Sequence, residues 1–92
     1  MNVDGYEWMK HPDVEMHVTE AERLGVSRVA RGVGGFVQAY KKARVPKHMS
    51  HEWHKRRKNF IKRTLAQYDK NPTHRRKLSL YMWAFNPERR SQ

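Results

Sequence analysis

The sequence predicts an all-α domain: a small bundle of three to five helices preceded by an irregular acidic N-terminal arm. Three observations predict it. Apolar residues recur at three- and four-residue spacing over 53–68 and 78–85. Residues that favour helix starts, Thr19, Ser27, Ser50 and Thr73, stand ahead of the candidate helices. Breakers fall between the helices: Gly25, the Gly32–Gly35 run, Pro46, Asn71-Pro72 and Asn86-Pro87. With 92 residues, the chain has room for one core. The expected division is an arm over 1–18, a helical domain over 19–87 and a frayed polar tail over 88–92.

Residues 1–18 show no sustained period and carry Gly5 and Pro12, with Tyr6, Trp8 and Met9 as a cluster able to anchor the arm. Thr19 and Glu22 stand in the relation of a capping box, so a first helix is expected over about Glu20 to Leu24. Gly25 interrupts, and Ser27 caps a short helix carrying Val29 and Ala30. Three glycines between Gly32 and Gly35 carry too much backbone entropy for a helix interior and predict a turn. Phe36, Val37 and Tyr40 form one apolar face of the next helix, which Pro46 ends.

Ser50 is expected to cap the best helix, about His51 to Asp69. At 100° per residue its Trp53, Phe60, Ile61, Thr64, Leu65 and Tyr68 share one side, and Lys55, Arg56, Asn59, Lys62, Arg63 and Lys70 share the other. Arg57 falls among the apolar residues, where an arginine snorkels out or pairs with a carboxylate, here Glu20 or Glu22. Thr73 caps a last helix to Phe85. Its Leu78, Tyr81, Met82 and Phe85 are expected to pack on the long helix, leaving Leu80 and Trp83 facing outward as a surface covered by the arm or offered to a partner.

Charge narrows the function classes. Twenty Lys/Arg against nine Asp/Glu give +11, with a pI near 10.5. The distribution is uneven, −5 over residues 1–22 and +16 over 23–92. Such a body attracts polyanions before any local contact forms. The stripe on the long helix, with Lys41, Lys42 and Arg44 before it and Arg75 and Arg76 after it, is the expected phosphate-binding surface. A small non-enzymatic protein that grips the nucleic-acid backbone, DNA or RNA, with low sequence specificity is the leading expectation. The alternative is a structural subunit of a virion or ribonucleoprotein, docking by the Leu80/Trp83 face and the basic face, with a protein partner or a second copy. A third reading is an adaptor for an acidic protein.

The segment Ala21-Glu22-Arg23-Leu24-Gly25-Val26-Ser27-Arg28-Val29-Ala30-Arg31 resembles the core of a helix-turn-helix. The resemblance covers about eleven residues and implies base readout by Ser27, Arg28 and Arg31 from a second helix under two turns long. Arg31 and Gly34 stand where that motif wants buried apolar residues.

Other chemistry finds little footing. Cysteine is absent, so disulfides, thiol nucleophiles and thiolate metal sites are excluded. His48, His51 and His54 recur every three residues, but four consecutive cations follow at Lys55–Lys58, so no metal and no cofactor is expected. The same run matches a nuclear-import signal, as short basic runs in nucleic-acid binders often do. General acid–base catalysis needs positioned carboxylates or histidines with tuned pKa, and the body offers at most one acid per helix. With neither a signal-peptide pattern nor a membrane-length apolar run, the chain is expected inside a cell or virion, not at a membrane and not secreted.

Overall fold

A computed structural model describes residues 6–89, and the first five residues of the arm and the last three of the tail lie outside them. Among the described residues six α-helical segments follow in order: α1 (His11–Met16), α2 (Val18–Leu24), α3 (Arg28–Arg31), α4 (Phe36–Ala43), α5 (His51–Lys70) and α6 (His74–Tyr81). Short 3-10 turns occupy Pro46–His48 and Pro87–Arg89, the latter running from the last residue of the expected helical domain into the tail expected to fray. The fold class is all-α, and three of the six helices reach eight residues.

The caps explain the boundaries. Ser50 Oγ accepts the Trp53 amide at 3.3 Å and Thr73 Oγ1 accepts the Arg76 amide at 3.2 Å, so α5 and α6 start where the sequence predicts. α2 ends at Gly25, left-handed at φ 70°, with the Val26 amide on the Ala21 carbonyl and the Gly25 amide on the Glu22 carbonyl. That is a Schellman ending, in which a glycine past the last turn lets two orphan carbonyls be satisfied.

Several expected boundaries move. The arm is not irregular throughout: Pro12 sits in the first turn of α1, where its missing amide costs nothing, and α1 buries Val14. Thr19 lies inside α2, because α1 and α2 share His17 as a junction and the helix starts before the expected capping box. Ser27 does precede α3, but in a left-handed conformation (φ 52°) with no side-chain cap bond. α6 stops at Tyr81. There Ala84, at φ 61°, takes the left-handed position, and the Phe85 amide turns back to the Leu80 carbonyl at 3.0 Å.

Two apolar clusters hold these pieces. The larger joins Trp8, Val14, Ala21, Val26, Phe36, Val37, Tyr40, Leu78, Tyr81 and Met82, and so ties the N-terminal segment to α1, α2, α4 and α6. The smaller joins Ile61, Leu80 and Phe85, with Phe60, Leu65 and Tyr68 packed against it. The expected assignment of the α6 faces is therefore reversed at Leu78, Leu80, Tyr81 and Met82, while Phe85 packs with Ile61 of α5 as expected. Leu80 meets α5 and is 0% exposed, while Leu78, Tyr81 and Met82 face the other helices. The molecule measures 33 × 31 × 19 Å, and α5, about 30 Å long at 1.5 Å per residue, is comparable to its longer dimensions.

Candidate functional site

The outer side of α5 carries a row of exposed cations. Lys55, Arg56, Asn59, Lys62, Arg63 and Lys70 are all exposed, as their projection requires. Lys58, not among the six expected, is exposed beside them and widens the stripe toward half the helix circumference. The stripe holds its orientation because Ile61 and Thr64 are buried on the opposite side and the Ser50 cap fixes the first turn.

Two carboxylates share α5 with the stripe, Glu52 in its first turn and Asp69 in its last, and the others lie on other segments. Glu15 pairs with Lys41 at 3.2 Å, and Glu20 with Arg23 at 3.1 Å and with His74 at 2.9 Å. Glu22 approaches Arg31 at 4.0 Å, and Glu88 approaches Lys77 at 3.9 Å. The hydrogen bond from His74, reinforced by Arg23, holds the exposed Glu20 carboxyl below its usual range. Among the described residues no carboxylate lies within ion-pair distance of Lys55, Arg56, Lys58, Lys62, Arg63 or Lys70. Glu15, Glu20 and Glu22 thus pair with cations of α4, α2 and α3, and these six cations of the stripe are left without an acid within ion-pair distance among the described residues.

The flanking basic clusters divide. Arg76 donates to the Asn71 carbonyl at 2.8 Å, across the C-terminal end of α5, and so adjoins the stripe. Arg75 turns the other way and donates to the Leu24 carbonyl at 2.6 Å, where a cation also suits the negative end of α2. Lys41 is drawn to α1 by Glu15. Lys42 and Arg44 are exposed past the end of the α4 apolar face, and Arg44 lines a groove of about 470 Å³ with Lys10, His11 and Lys47 at its rim.

Two expected sites look different in three dimensions. The helix-turn-helix resemblance survives in the α2 turn, but α3 is one turn of four residues. Ser27 is half-buried, Arg28 is exposed, and Arg31 folds back so that its Nε donates to the Val26 carbonyl at 2.7 Å. A helix this short has no outward row of side chains to lay along a groove. The Leu80/Trp83 surface does not exist as an outward face. Leu80 is enclosed by the α5 cluster, and Trp83 is stacked between Phe36 (4.8 Å) and Phe60 (4.9 Å). As for the histidines, His48 and His51 are exposed, whereas the His54 ring lies against Trp8 at 5.3 Å; no group of three metal-binding side chains forms among the described residues.

Arg57 is the residue whose role the sequence located but misassigned. It is 0% exposed, and in place of Glu20 or Glu22 its guanidinium takes backbone carbonyls: Trp83 at 2.7 Å, Glu7 at 2.8 Å, Ala84 at 3.0 Å and Tyr6 at 3.4 Å. It also lies over the Trp8 ring, 3.9 Å from its centroid. Tyr40 reinforces the same segment by donating to the Met9 carbonyl, and burial pushes its phenol pKa up. Burial likewise lowers the pKa of His17, stacked against Tyr81. Among the described residues no helix is long and apolar enough to cross a membrane. Set against known proteins, the chain matches no protein family, and no curated protein or solved structure matches it.

Proposed function

We propose that this chain is a small, non-enzymatic nucleic-acid-binding protein that grips the phosphate backbone through the outer face of α5, with low sequence specificity. The observation that carries the reading is the stripe of Lys55, Arg56, Lys58, Lys62, Arg63 and Lys70, left without carboxylate partners among the described residues. Cations in such an array bind a polyanion by releasing its condensed counterions. Asn59 adds a neutral donor within the array, Arg76 extends it, and Lys42 and Arg44 supply further charge. Lys41 and Arg75 stabilise helices α1 and α2 and are expected to contribute less. The folded-back Arg31 supports backbone contact over base readout. An assembly role through an apolar α6 face loses its motive, because Leu80 is enclosed.

The test is binding of mixed-sequence DNA and RNA across a salt series. With about five phosphates neutralised, affinity is expected to fall by about two to three orders of magnitude between roughly 50 and 200 mM salt. The K62A/R63A variant is expected to weaken binding to all sequences alike and to reduce the salt slope by about 2. Affinity indifferent to salt, or no binding to either nucleic acid at low salt, would falsify the proposal.

A further inference from the structure

The stripe on α5 has an aromatic flank. On the 100° projection Trp53 and Phe60 lie beside Arg56 and Arg63, one heptad apart and so about 10.5 Å along the axis. Both rings are half-buried, and each carries an arginine: the Arg56 guanidinium carbon lies over Trp53 at 5.2 Å, and that of Arg63 over Phe60 at 6.0 Å. The rings are held from behind. Phe60 stacks on Trp83 at 4.9 Å with the planes 21° apart, and Trp83 stacks on Phe36 at 4.8 Å, so the flank is the outer end of a ring stack that reaches the core.

A phosphate needs only charge and N–H donors, which lysines already supply along the stripe. A planar guanidinium held near a fixed ring supplies something more, a flat group on which a base can stack while its N–H edge still reaches phosphate. In a duplex the base faces are occupied by their neighbours, and only an unpaired strand offers them. Resting on the phosphate-grip reading above, we infer that the ligand of this face is single-stranded nucleic acid, with Trp53/Arg56 and Phe60/Arg63 as two stacking stations. Both arginines are exposed, so a change confined to them leaves the core contacts in place.

The test uses the full chain and three probes matched in phosphate content: a mixed-sequence single strand, an abasic strand and a duplex. The single strand is expected to bind about fivefold or more tighter than the abasic strand, the lower end of what one stacked base contributes, and to outcompete the duplex. R56K/R63K keeps the charge and loses the planes, so the ratio of single-strand to abasic affinity is expected to fall toward one. Equal binding of single strand and abasic strand overturns the stacking inference while leaving the phosphate grip intact, as does a preference for duplex. An undiminished ratio in R56K/R63K removes the arginine stations. Absence of binding to all three probes at low salt overturns both this inference and the reading beneath it.

Discussion

Arg57 joins two stretches of backbone that no helix connects. Its guanidinium donates to carbonyls of Tyr6 and Glu7 on one side and of Trp83 and Ala84 on the other, so the N-terminal segment is fastened to the end of α6 by a side chain of α5. The fork of five N–H groups suits this, since carbonyls in different directions can be met by one rigid plane. Replacing Arg57 by Met keeps some of the volume and removes every donor. The Ala84 carbonyl keeps the Met9 amide as a donor, and each of the other carbonyls left without one costs about 1–3 kcal/mol. Arg57→Met is therefore expected to lower the unfolding free energy by about 3 kcal/mol or more, read from urea denaturation. Arg57→Lys is expected to recover little of it, because one compact ammonium cannot reach carbonyls of both segments. A loss below about 1 kcal/mol in Arg57→Met would show that the clamp is dispensable.

At the scale of elements, the α3–α4 junction is set by how closely one turn approaches another. A Cβ at Gly35 would lie 2.3 Å from the Val29 carbonyl oxygen and 2.5 Å from that of Ala30, backbone atoms that cannot swing aside. Gly35 adopts φ −87°, so the constraint is space and not conformation. Gly35→Ala is expected to push α3 away from α4 at a cost of about 1–3 kcal/mol, the range for overpacked sites, and a thermal midpoint equal to wild type would refute the close approach. The same junction shows what was legible in the sequence. The starts of α5 and α6 were readable, because Ser50 and Thr73 cap by local bonds, and the α5 faces followed from a period kept over twenty residues. α1 was not readable, since six residues burying only Val14 carry no period and owe their helix to packing. The end of α6 was missed because Ala84, not glycine, holds the left-handed position, so the projection ran on to Phe85. The face assignment failed at Leu78, Leu80, Tyr81 and Met82, though not at Phe85. A short helix packed between α2 and α5 is buried on both sides, and periodicity cannot say which side meets which neighbour.

For the whole molecule, charge separation sets binding against stability. Glu20 and Glu15 pair with cations of α2 and α4, Glu52 and Asp69 stand at the two ends of α5, and the stripe between them has like charges one turn apart, Lys58 lying three residues from Lys55 and four from Lys62. Like charges at these spacings each destabilise a helix by about 0.2–0.5 kcal/mol, and the rest of a body at +16 adds to the repulsion. Salt screens these terms within a Debye length of about 10 Å at 0.1 M. It also weakens the exposed pairs Glu15–Lys41 and Glu20–Arg23, but such pairs contribute about 0–1 kcal/mol and are few. Repulsion is the larger effect, so raising sodium chloride from about 0.02 to 0.3 M is expected to stabilise the fold by about 1 kcal/mol, or roughly 4–8 °C in Tm for a domain of this size. Lys58→Gln is expected to raise Tm at low salt and to shrink the response. Folding and binding then move in opposite directions over one salt series, Tm rising while affinity for nucleic acid falls. A Tm that drops as salt is added would mean that the ion pairs of the N-terminal third, and not the open stripe, dominate the electrostatics of this chain.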